Sequence, residues 1–154
     1  MRQDRFPNLT GPWRDDAVAA YLDDARIPLR LAALAPSGTP CVTSLWYVRR
    51  GASLWCATIQ SARLVGALRT DPRCGFEIAA DRPPYRGVRG QGKARIDAAA
   101  GGDVLRTLIE RYLGDDTTDL ARWLLSRIDR EVAIEIVPTR LTSWDYTRRM
   151  REIG

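Results

Sequence analysis

Residues 57–73, A-T-I-Q-S-A-R-L-V-G-A-L-R-T-D-P-R, begin as a strand and continue as a helix. Leu64, Val65 and Leu68 recur at helical spacing, and Asp71-Pro72 stops the run. At the joint stand Thr58, Ser61 and Arg63. A helix N-terminus presents amide N–H groups without intrahelical partners and the positive end of a dipole, so an anion is stabilised there. Thr58 can donate a hydroxyl from the strand end, Ser61 can cap the helix or donate to an anion, and Arg63 offers a planar fork suited to phosphate. A plainer reading also fits: Ser61 as a simple N-cap and Arg63 as a solvated first-turn residue.

Working outward, R-D-D-A-V-A-A-Y-L-D-D-A-R (14–26) reads as a helix with acids in its first turn. P-L-R-L-A-A-L-A-P, C-V-T-S-L-W-Y-V (41–48) and S-L-W-C-A-T-I read as three strands in meander order, with S-G-T-P and R-R-G-A as the turns. After the central helix come the strand R-C-G-F-E-I-A-A, the turn D-R-P-P-Y and a long glycine-punctured strand over 86–97. Two helical stretches follow, the first with Val104, Leu105, Leu108, Ile109 and Tyr112, the second with Leu120, Trp123, Leu124 and Ile128. In E-V-A-I-E-I-V (131–137), Val132, Ile134 and Ile136 are expected inward and Glu131, Ala133 and Glu135 outward, with a separate short strand after Pro138. The fold class is therefore mainly β with short helices, about six or seven antiparallel strands closing toward a barrel. A single domain over 15–146 is expected, with an N-terminal arm over 1–14 and a basic tail over 147–154.

Neither face of the 41–48 strand is convincingly polar, so something besides its own core should cover it, a ligand or a second subunit. The 24 basic residues are all Arg except Lys93, and acids are interleaved among them, which favours a solvated surface over a nucleic-acid footprint. No long apolar run or signal-peptide core is visible, so no membrane segment and a cytoplasmic location are expected. Cys41, Cys56 and Cys74 lack C-x-x-C spacing and read as buried, reduced thiols. There is no histidine. That excludes Ser-His-Asp and Cys-His nucleophile systems and the His-containing metal sites, and no metal is expected.

Strand C-V-T-S-L-W, strand L-W-C-A-T, helix S-A-R-L-V-G-A-L-R-T-D-P-R, strand C-G-F-E-I-A-A and strand V-R-G-Q-G-K-A-R-I, in this order and spacing, resemble the pyridoxamine 5′-phosphate oxidase-like family. The resemblance runs from about Ile27 to Tyr146. It implies the FMN-binding split-barrel fold, a homodimer with cofactor at the subunit interface, and FMN or the deazaflavin coenzyme F-420 as cofactor. It also implies that Thr43, Ser44, Leu45 and Trp46 contact the isoalloxazine ring and that Thr58 and Arg63 hold the phosphate, with Ser61 between them. Arg86 and Trp144 are the candidates to reach a site across the interface. Two departures stand out: Leu64 occupies the position where many relatives carry Lys, and T-S-W-D-Y-T-R-R-M-R-E-I-G lacks the Trp, Arg and His rich ending of enzymes that oxidise pyridoxamine phosphate.

The expected activity is hydride transfer to or from a small molecule, with the flavin carrying the chemistry and catalytic side chains unassigned. The rival readings are a non-catalytic flavin or haem binder and a nucleic-acid-binding barrel that uses Trp46, Trp55 and Trp144 as stacking platforms.

Overall fold

The computed structural model describes residues 4–152. The strands are β1 (Leu9–Thr10), β2 (Leu29–Leu34), β3 (Pro40–Leu45), β4 (Val48–Arg50), β5 (Ser53–Ile59), β6 (Arg73–Ala79), β7 (Arg86–Asp97) and β8 (Glu131–Asp145). The helices are α1 (Asp15–Asp24), α2 (Arg63–Thr70), α3 (Gly101–Leu113), α4 (Asp119–Leu125) and α5 (Thr147–Arg151). All eight strands join one sheet in the order β3-β2-β6-β7-β8-β5-β4, with β1 added in parallel beside β8. Every other pairing is antiparallel. β3 and β4 lie at opposite ends of this path yet are joined by two residues, so the sheet curls into a barrel that hydrogen bonds leave split.

The expected meander is only half observed. β2 pairs with β3, but β5 pairs with β4 and β8. The 41–48 run breaks at Trp46-Tyr47 because the Tyr47 ring turns into the core, fully buried, where its hydroxyl donates to the Leu22 carbonyl at 2.7 Å. The two strands expected around Pro138 are one 15-residue strand. Pro138 pairs with Gly92 and Thr139 is the extra residue at the irregularity between Gln91 and Gly92, so the amide that proline lacks falls at a bulge.

The barrel interior is built from the alternate positions of the strands: Leu29, Leu31, Leu54, Cys56, Ile78, Val88, Ile134, Ile136 and Leu141 are all fully buried. Val18 and Leu22 of α1 and Leu68 of α2 join the same core, as does Phe6, which anchors the N-terminal arm. Outside the barrel, α3 lies over β4, β5 and β8 and packs Val104 and Leu108 on Ala133, while α4 adds Ala121 against Leu105 and Ile109. Glu131 and Ala133 keep the outward side that the alternation predicts, but under that cover both are buried. The other outer half, formed by β3, β2, β6, β7 and the end of β8, is open: Arg30, Val42, Ser44, Glu77, Arg89 and Gln91 are all exposed. Among the described residues no helix is long and apolar enough to cross a membrane.

Candidate cofactor site

β5 delivers the chain to the end of the barrel and α2 takes it away, so Thr58, Ser61 and Arg63 come together at one turn. Thr58 is half-buried, pairs with Val132 and shares the inward parity of Leu54 and Cys56. The turn is closed by the Ala62 amide donating to the Ile59 carbonyl at 2.9 Å. Ala62 holds the N-cap position of α2 with no side-chain cap bond, so Ser61 is not the cap that its sequence position suggested, and its hydroxyl is exposed. The first helical bond runs from the Val65 amide to the Ala62 carbonyl at 3.0 Å, which leaves the amides of Arg63 and Leu64 ahead of it. Arg63 is exposed and joins no ion pair among the described residues. Leu64 instead packs against the barrel core.

Sequence reasoning missed one cation beside this turn. The Gln60 amide donates to the Arg130 carbonyl at 2.8 Å, which ties the backbone of exposed Arg130 to the residue before Ser61. No local signal marks it, because its position depends on the pairing of β5 with β8. The turn thus offers hydroxyls, helix amides ahead of the first helical bond and the exposed Arg63 guanidinium, donors of the kind a phosphate monoester takes.

The β3 candidates divide between two faces. Thr43 and Leu45 pair with fully buried Leu31 and Leu29 and share their inward side, whereas Ser44 pairs with Arg30 on the open face. Trp46 leaves the strand and stacks on Tyr112 of α3, rings parallel within 5° and centroids 5.0 Å apart. Thr43, Ser44 and Leu45 share the unpaired edge of a terminal strand, whose backbone N–H and C=O groups are available to a flat heterocycle.

Arg86 and Trp144 lie at the far side of the sheet. Arg86 begins β7 and lies 5.8 Å over the Tyr21 ring. Trp144 pairs with Gly87, and a Cβ on that glycine would meet the indole at 2.8 Å, so the ring lies flat over bare backbone. Arg89 stacks on the same indole at 5.2 Å. Trp55 is approached by Arg50 and Arg95, at 5.5 and 5.9 Å. Each of the three tryptophans considered as stacking platforms thus already has a partner within the chain. Next to Arg89 the open face forms a hollow of about 520 Å³, lined by Arg30, Val42, Glu77, Arg89 and Arg140 among others but by none of Thr58, Ser61 or Arg63. The phosphate-suited turn and the hollow therefore occupy different parts of one subunit's surface.

The thiols also differ from expectation. Cys56 and Cys74 are buried, and burial pushes the Cys74 thiol up to about 11. Cys41 is exposed because β3 is a terminal strand with nothing packed over it. Among the described residues no group of three His, Cys, Asp or Glu side chains is placed to hold a metal ion.

No protein-family model and no curated protein matches the sequence. Solved structures do resemble the fold. The conserved hypothetical protein Rv2991 of Mycobacterium tuberculosis is similar over 90% of this chain and 89% of its own, at 27% identity and a TM-score of 0.77. An F-420 reductase is similar over 78% of this chain and 92% of its own, at 22% identity and a TM-score of 0.67. HutZ, the haem storage protein of Vibrio cholerae, is similar over 79% and 89%, at 17% identity and a TM-score of 0.61. These neighbours are split barrels of the pyridoxamine 5′-phosphate oxidase-like kind, and this chain has their fold.

Proposed function

We propose that the chain is a homodimeric oxidoreductase that binds FMN, with the phosphate on the turn formed by Thr58, Ser61 and Arg63. The observation that carries this reading is the turn itself, where the α2 amides ahead of the first helical bond adjoin the exposed Ser61 and Arg63 side chains and the Arg130 backbone is bonded to Gln60. The bound flavin would supply hydride transfer at its N5 atom. The chain's own part is to hold the phosphate at the barrel end and to offer the β3 edge, with Thr43, Ser44, Leu45 and Trp46 around it, to the ring. A chain without histidine suits this division of labour, because positioning matters more here than a side-chain base. The dimer is supported by the open outer face, where Val42 is 67% exposed on a strand that its own chain leaves uncovered. Trp144, on that open face beside Arg89, and Arg86, over Tyr21 at the start of β7, are the side chains we assign to a partner's site.

Coenzyme F-420 is the second reading, favoured by the similarity to an F-420 reductase. It carries a phosphate that the same turn could seat, but its acidic tail would need a basic groove beyond. Of the cations that could line one, Arg73 is already forked onto Asp71 at 2.7 Å, while Arg69 and Arg82 make no such pair among the described residues. A non-catalytic haem binder fits less well, since no histidine is available as an axial ligand. The test is the visible spectrum of the protein as purified, joined to sedimentation at micromolar concentration. A flavin spectrum on a dimer is expected. A 17.3 kDa monomer carrying cofactor would contradict an interface-built site.

A further inference from the structure

Cross-strand pairing sets Ser44, Arg30, Glu77, Arg89 and Thr142 in one row across the open face. The adjacent row is Val42, Ala32, Gly75, Gln91 and Arg140, and its small residues floor the hollow of about 520 Å³. Directly opposed side chains in a sheet lie about 4.5–5.5 Å apart at Cβ, so Glu77 sits between Arg30 and Arg89 within easy reach of both. No ion pair joins it to either among the described residues. Arg89 lies over the Trp144 indole instead, and Arg30 turns back toward the Pro28 carbonyl at 3.5 Å. Glu77 is also the one carboxylate lining the hollow, against three arginines.

From this row we infer that Glu77 is the register-setting acid of a two-fold interface, pairing with Arg30 of the partner subunit while the partner's Glu77 pairs with Arg30. The inference rests on the dimer reading above. A two-fold axis that opposes residue i to residue j also opposes j to i, so one axis placed between β2 and β6 satisfies both charges at once. The same axis sets Ala32 against Gly75 of the partner subunit and Val42 against Gln91 of the partner subunit, which covers the exposed Val42. Registers that bring Arg30 against Arg89 or Arg140 are repulsive, and the lone acid therefore selects among the ways two such faces could meet.

Sedimentation velocity on the full chain tests this with Glu77→Arg and Arg30→Glu. Both positions are exposed, so each variant should keep the wild-type circular dichroism and melting temperature. Each alone should weaken self-association at least roughly tenfold. An equimolar mixture should regain the dimer: the arginine introduced in one variant then meets the glutamate introduced in the other, and the two-fold related contact keeps the native Arg30 and Glu77. A monomeric wild type would overturn the dimer reading together with this inference. A wild-type dimer that Glu77→Arg leaves intact, or variants that stay monomeric when mixed, would overturn the inference alone and point to a different register or a different occupant of the face.

Discussion

Gly101 and Gly102 open α3 side by side, and replacing each with alanine should have opposite effects. A Cβ on Gly101 would fall 2.1 Å from the Glu131 carbonyl oxygen and 2.8 Å from the Val132 Cα, both backbone atoms of β8 that cannot swing aside. Relief requires α3 to move off the sheet by about 1 Å, and a gap of that size forfeits a quarter to a half of the van der Waals contact across the interface. The helix buries Val104, Leu105, Leu108 and Ile109 almost completely, each contributing about 1.5–3 kcal/mol. At about 2 kcal/mol for each of the four, losing a quarter to a half of that burial costs roughly 2–4 kcal/mol, at and above the usual 1–3 kcal/mol for overpacked cores. For a domain of this size the melting temperature should fall by about 4–15 °C. A Cβ on Gly102 would meet only the Ile128 side chain at 3.4 Å, close to ordinary contact. Gly102→Ala should therefore be neutral or raise stability by up to about 1 kcal/mol, through the smaller entropy of the unfolded chain. Urea denaturation of both variants checks the contrast. Equal stabilities, or a larger loss at Gly102, would refute the placement of α3 against β8.

Three further outcomes are expected. Arg63→Ala should weaken FMN binding about ten- to a hundred-fold, the usual worth of a charge-assisted hydrogen bond, while the fold survives on Leu64, Val65 and Leu68; a fluorescence titration with unchanged affinity would return Arg63 to the solvated surface. A disulfide-exchange reagent at pH 8 should label one thiol of three quickly, the exposed Cys41, since Cys56 and Cys74 are buried and burial raises both thiols. Burial raises the Glu131 carboxyl above its ordinary range, partly offset by Arg127, so folding favours its protonated form and stability is lost as pH rises from the unfolded to the folded value. Glu131→Gln should therefore gain stability over wild type as pH rises above the ordinary glutamate value of about 4.3; a difference that does not change with rising pH would contradict the burial of a raised carboxyl.

The parts of the fold written in local periodicity were legible in the sequence. β7 spans 86–97 as expected, because its glycines and alternating side chains leave no helical pattern to compete. Features decided by distant contacts were not legible. Tyr47 ends β3 only because Leu22 offers a buried carbonyl to its hydroxyl, and Ala133 is buried only because α3 returns across β8. Pro138 looked like a strand break until Gly92 opposite it made room for a bulge. The candidate site divides in the same way. Thr58, Ser61 and Arg63 are near neighbours in the chain and could be read together, although α2 starts one residue later than Ser61 as its cap suggested. Arg130 reaches the same turn through strand pairing, and nothing in its own stretch announces that.

The claim that the turn after β5 seats a phosphate is tested most directly by comparing FMN with riboflavin, which has the same ring and ribityl chain but no phosphate. Cofactor-free protein should be titrated with each at one fixed ionic strength, following the quenching of flavin fluorescence. FMN should bind with one site per subunit and at least about tenfold more tightly than riboflavin, the least expected of one charge-assisted hydrogen bond. Equal affinities for the two flavins would contradict the account.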